Sequence, residues 1–259
     1  MWLADAVRAS YAWVFDACGG DPVRLFSVGL NAWGLVIFWG LGGLYLLADL
    51  TSPAFMTKYK VQPGEHQPLS RPNLLKALKR CSFNMFVVGS LFSLAFGYLA
   101  IHVRGNPYLP EDIVFDWRRM ARDGVVIALM EELGFYTFTA PIAISAVYAH
   151  PLEHVLANLG PIALGPLVCG CHVWFIFLWV SIALTQTLHV HSGYHLPFVT
   201  SSEKHDFHHK YFNVNYGPIG LLDWYFATDT KFRNHVASKR HFMLRGMTPA
   251  RELIPDPPA

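Results

Sequence analysis

From Leu25 to Ala48 the chain runs for 24 residues without a charged side chain. As a helix rising about 1.5 Å per residue, such a run crosses roughly 30 Å of hydrocarbon. Two further runs make the same demand. Cys81 to Val103 is uncharged, with His102 at an interfacial position near its end, and Val155 to Leu188 holds 34 residues with no charge. A hydrophobic fraction of 53 % in 259 residues agrees with them, so the expected fold class is all-α and integral to a membrane.

Charge sets the expected orientation. Residues 51 to 80 carry Lys58, Lys60, Arg71, Lys76, Lys79 and Arg80, the composition of a cytoplasmic loop, which turns the N-terminus away from the cytosol. Residues 1 to 24 mix Trp2, Tyr11, Trp13 and Phe15 with polar residues and read as an interfacial lead-in. Asp5, Arg8 and Asp16 interrupt this segment, so no cleavable signal peptide is expected and the first span serves for targeting. A third apolar segment, from Gly124 to Ala149, has Glu131 and Glu132 in its middle; carboxylates at such depth must face protein, water or a polar site and not lipid. The 34-residue run exceeds one span but falls short of two full crossings with a loop. Pro161, Gly165, Pro166 and Gly170 in its first half suggest a bent hairpin that dips in and returns. The sum is about three full transmembrane helices, a bent helical hairpin and a cytosolic histidine-rich helical cap. The expected divisions are a membrane region over 1–123, a site-bearing domain over 124–235 and a cytosolic tail over 236–259.

Six of the thirteen histidines fall between His189 and His209. Neutral imidazole suits iron, zinc and copper, so this density points first to a metal. His205, His208 and His209, at i, i+3 and i+4, share one helix face, and His191 and His195 repeat the i, i+4 step. His150 and His154 lie one turn apart, and a hairpin returning to the same face brings them to the cluster. Glu153, Asp206, Asn213, Asn215, Asp223 and Asp229 are placed to take the second ring N–H of a ligand, or else to cap helices and solvate loops. Trp224, Tyr225 and Phe226 are an expected interfacial anchor. The four cysteines have neither zinc-site spacing nor the density of a disulfide scaffold. A formal net charge of +2 with no basic stripe excludes nucleic acid as a partner.

The segments Y-A-H-P-L-E-H from Tyr148, H-V-H-S-G-Y-H-L-P from His189 and H-D-F-H-H-K-Y-F-N-V-N-Y-G-P-I-G-L-L-D from His205, with A-T-D at Ala227 to Asp229, resemble the fatty acid hydroxylase/sterol desaturase superfamily, nearest its C4-methylsterol oxidase-like and fatty acid hydroxylase domain-containing members. The resemblance covers roughly Asp112 to Asp229. It implies a membrane-embedded non-haem di-iron site that uses dioxygen to oxidise a C–H bond of a sterol or fatty-acyl lipid. Electrons come from a reduced pyridine nucleotide, often through cytochrome b5, and the enzyme resides in the endoplasmic reticulum with its iron facing the cytosol. On this resemblance the expected ligands are His191, His195, His205, His208 and His209, then His150 and His154. No separate general base is assigned, because the iron chemistry itself removes the hydrogen.

One departure stands against these matches. The family carries H-x-x-x-H and H-x-x-H-H boxes between its Glu-Glu span and the A-H-P-x-E motif. Here Glu131 to Tyr136 runs straight into Thr137 to Pro141, with no histidine between His102 and His150. Both flanks resemble the family, so the junction reads as an in-frame shortening. Two alternatives follow: a catalytically silent form that keeps the family's partner or lipid surfaces, and a site for a single ion such as zinc.

Overall fold

The structure is a computed structural model that describes residues 2–62, 70–137, 148–211 and 213–257. Among them the only β-bridge is an isolated antiparallel one between Lys60 and Tyr194, and the all-α class holds. An amphipathic helix α1 (Trp2–Ala17) leads into α2 (Pro22–Thr51), which starts where Asp21 accepts from the Arg24 amide at 2.9 Å and Pro22 fixes the first turn. Then come α3 (Arg71–Arg104), α4 (Trp117–Thr137), α5 (Pro151–Cys169) and α6 (Val173–His191). Two short helices, α7 (Glu203–Tyr211) and α8 (Leu221–Tyr225), begin the C-terminal cap.

Among the described residues four helices, α2, α3, α5 and α6, are long and apolar enough to cross a membrane. The expected hairpin is present, and each of its arms has the length and composition of a crossing where the sequence suggested a dip. Counting only uncharged residues left out its ends, because α5 starts before the run at Pro151 and α6 continues past it to His191. The turn consumes only Gly170, Cys171 and His172, since Gly170 takes a left-handed φ of 59° and stops α5 at once. The expected third span is α4, whose first half carries Arg118, Arg119, Arg122 and Asp123 and whose second half is the apolar part. The end of that expected span, 138–147, lies outside the described residues.

Close backbone approach joins α4 to α5. A Cβ on Gly165 would lie 2.7 Å from Ile127 Cα, and one on Gly134 would lie 2.6 Å from Pro161 Cβ. Small residues at these two positions allow the contact.

The helices run between two distinct ends. At the first, Tyr11 donates to the Tyr108 carbonyl at 2.6 Å, Asn106 to the Cys171 carbonyl at 2.8 Å, and the Val173 amide to the Pro107 carbonyl at 2.9 Å. Phe26, Phe96, Ile113, Ile127, Val173 and Ile176 pack there into the largest apolar cluster. At the other end, Asp49 accepts from Lys60 at 2.7 Å and from the Tyr194 hydroxyl at 2.9 Å. The cap docks here through Glu132, which is 1 % exposed. Its carboxylate accepts from the amides of Ile219, Gly220 and Leu222 at 2.8, 3.2 and 3.0 Å, at the start of α8 where unpaired amides favour an anion. Glu132 thus faces protein, as its depth requires. The last residues fold onto the cap: the buried Arg240 donates to the Ile254 carbonyl and to Asp256.

Candidate metal centre

The end of α6 and one face of α7 meet at one end of a cavity of about 500 Å³. His191 is the last residue of α6, and His205 and His209 are one turn apart on α7. His205 Nε2 lies 2.9 Å from His191 Nε2 and 2.9 Å from His209 Nε2. One donor atom from each of the three rings falls within 4.8 Å of the others.

Ring hydrogens show why this arrangement suits a cation. His191 Nδ1 donates to the Thr187 carbonyl at 2.8 Å, so its Nε2 is bare. A single hydrogen on His205 Nε2 cannot serve two neighbours at 2.9 Å with good geometry. Two nitrogens bound at right angles to one ion, at bond lengths of about 2.1 Å, lie about 3.0 Å apart, the separation seen here. Burial and the neighbouring histidines push the His205 pKa well below the ordinary value, and burial takes His209 to about 3. Both rings are therefore neutral at physiological pH, as a ligand must be.

The other expected ligands divide. His208 lines the same cavity, and its Nδ1 donates to the Val214 carbonyl at 2.7 Å, which leaves Nε2 bare beside the trio. His154 also lines the cavity and is 1 % exposed. His195 is turned elsewhere: Nε2 meets the Phe242 carbonyl at 2.8 Å and Nδ1 sits 3.6 Å from Glu203. His150 is exposed and caps α5, its Nδ1 accepting from the Leu152 amide at 3.3 Å. His189 is saturated by the Tyr45 hydroxyl and the Thr200 carbonyl, at 2.8 and 2.7 Å.

The expected orienting carboxylates do not take this role. Asp206 accepts from Gln62, Asp223 from Lys204 and two backbone amides, and Asp229 from Arg233; Glu153 accepts from the His150 amide and Asn215 donates to the Lys204 carbonyl. Backbone carbonyls orient the rings instead. They are available because α6 ends at the site, so Thr187 faces His191 within the last turn, and because the chain after α7 doubles back past His208. His241, outside the expected set, also lines the cavity; no helical or ligand-type spacing to the histidines of 189–209 marks it in the sequence.

The iron implied by the family resemblance can be tested against these residues. Three convergent neutral imidazoles with bare or shared Nε2 atoms fit one ion. A pair of irons does not fit the convergent set among the described residues, which stops at three.

Below the histidines the cavity is largely apolar, with Asn31 and Ser93 as polar exceptions. It descends between α2, α3, α5 and α6, past Gly34, Phe38, Gly89 and Ala183, to Leu30, Phe96 and Ile176. Glu131 reaches its wall, so this second carboxylate faces a partly polar site.

Residues 134–228 match the family model described as fatty acid hydroxylase. The chain is 37 % identical to fatty acid hydroxylase domain-containing protein 2 of Macaca fascicularis, over 92 % of this chain and 77 % of that protein. It is 34 % identical to fatty acid hydroxylase ahd1 of Mycosarcoma maydis over 74 % of this chain and 54 % of that one. Identity to methylsterol monooxygenase 1 of Danio rerio is 30 % over 70 % of each. The macaque match extends over 260 positions while drawing on 92 % of these 259 residues, so the relative has residues with no counterpart here. No solved structure matches. On the strength of these relatives, the chain belongs to the fatty acid hydroxylase/sterol desaturase superfamily.

Proposed function

We propose that this chain is a membrane-embedded, iron-dependent lipid oxidoreductase whose ion is held by His191, His205 and His209, with His208 Nε2 as the nearest further donor. The observation that carries this reading is the convergence of three imidazole nitrogens on a largely apolar cavity that runs between helices of membrane-spanning length. Bound iron supplies the redox chemistry with dioxygen. The chain's own residues do the rest: carbonyls of Thr187 and Val214 fix ring tautomers, burial keeps the rings neutral, and the apolar walls of α2, α3, α5 and α6 hold a sterol or fatty-acyl chain away from water.

The docked cap lies at the end of the helices where the basic residues of 51 to 80 collect, which supports a cytosol-facing site and electron delivery from a cytosolic donor such as cytochrome b5. An endoplasmic reticulum membrane is the setting we assign, by likeness to the family. The test is metal analysis of the purified full chain together with dioxygen consumption in the presence of a sterol or acyl lipid. Iron-dependent consumption supports the reading, and iron-loaded protein without turnover refutes it.

A second reading has its own support. The convergent set stops at three donors, and the macaque relative has residues that this chain lacks, as expected if the earlier histidine boxes are missing after Tyr136. On that reading the chain is a catalytically silent, shortened form that still binds one ion and a lipid. Bound metal without dioxygen consumption selects it.

A further inference from the structure

His154 stands at the start of a stretch of wide π turns, His154–Leu159, within α5. Pro161 lacks the N–H that would pair with the Ala157 carbonyl, and such turns relieve the missing bond. The ring is 1 % exposed and lines the cavity. Asn158 Nδ2, an amide donor, lies 3.1 Å from Nδ1. Nδ1 therefore accepts, and the one hydrogen of the neutral ring sits on Nε2. That Nε2 is buried and has no partner among the described residues. Buried donors are rarely left unpaired, because each forfeits the bond it made with water.

We propose that His154 is a substrate-anchoring residue, its Nε2–H donating to a hydroxyl, carbonyl or carboxylate oxygen of a lipid whose chain fills the cavity. The inference rests on the reading of that cavity as a lipid site. The same tautomer removes His154 from the ligand set, since a protonated Nε2 has no lone pair for a metal. Placement adds to the argument. α5 and α6 form a hairpin with a three-residue turn, so His154, near the start of α5, lies at the same end as His191 at the close of α6. An oxygen held there stands beside the histidine centre while the chain descends toward Ile176. Ile176 and His191 are fifteen residues apart on α6, about 22 Å of helix. The ligand is thus a long amphiphile whose oxygen lies close to the carbon presented to the metal.

The experiment compares two probes of equal length, octadecan-1-ol and octadecane, competing for the purified full chain in detergent micelles, with retained probe measured by mass spectrometry. The wild-type chain is expected to favour the alcohol about tenfold, the effect of one hydrogen bond to a buried donor. His154→Phe should reduce that preference to less than about twofold with metal content unchanged. A preference that survives in His154→Phe, or is absent from the wild type, overturns the proposal. Loss of metal in His154→Phe makes the residue a ligand and overturns it as well. Retention of neither probe by the wild type removes the lipid-site reading itself, a failure distinct from the others. Should His154→Phe not fold, nitrogen-15 resonances of the wild-type ring decide: protonated Nε2 that shifts with octadecan-1-ol and not with octadecane supports the assignment, and protonated Nδ1 contradicts it.

Discussion

His172 at one end of the helical bundle and the His191, His205 and His209 trio at the other use imidazole in opposite ways. At the hairpin turn, His172 Nδ1 accepts from the Trp174 amide at 3.1 Å and Nε2 meets the Leu109 carbonyl at 2.9 Å. Both nitrogens are spent on backbone, and the ring is a fastener. At the other end His191, His205 and His209 turn nitrogens toward one another. The difference shows that an imidazole's partners, more than its burial, separate a structural histidine from a binding one. Burial alone fails the distinction, since His172, His189 and His195 are all buried.

The contrast can be broken most directly at His205, the central ring of the trio. His205→Ala should weaken metal binding by more than about a hundredfold, read by titration calorimetry, because second-sphere losses alone cost about ten- to a hundredfold. An affinity within tenfold of wild type would place the ion elsewhere.

Next in size is the dock that holds the cap over the site. Glu132→Ala strands three amides and should cost about 3 kcal/mol or more, seen as a lowered melting temperature in detergent and as weaker metal binding. If melting falls and metal affinity stays, the cap does not position α7.

At the opposite end, His172→Ala should cost about 1–2 kcal/mol in stability and leave metal affinity within about twofold. A large loss of metal there would erase the distinction between the ends.

The smallest and most graded effect is pH dependence. His205 and His209 have folded pKa values depressed below the ordinary 6.5, with His209 at about 3. The unfolded chain therefore takes up protons first as pH falls. Stability contributed by these neutral rings is fully present above about 6.5, declines as pH drops through that value, and stops declining near the folded pKa. Melting temperature of the metal-free protein should follow this course, and His209→Phe should flatten it.

Much of this was legible in the chain. Uncharged runs marked α2 and α3 because lipid leaves no other partner for a long apolar helix, and the i, i+4 spacing of His205 and His209 put them on one face of α7. The length of the hairpin's arms was underread because a run of uncharged residues is shorter than the helices containing it, and a three-residue turn needs little chain. His191 and His195 looked equivalent by spacing, yet α6 ends between them. His191 stays on the helix facing α7, whereas His195, past Gly193 at φ 70°, is carried toward Phe242. Orientation by carbonyls and not by the nearby carboxylates could not be read either, since it depends on where helices stop and how the cap folds back.

The proposed centre is one ion held by three histidines. Inductively coupled plasma mass spectrometry on the purified full chain measures that stoichiometry directly. It should find about one ion per wild-type chain, as three imidazole donors imply, and none in His205→Ala. Two ions per chain, or one retained in His205→Ala, would contradict it.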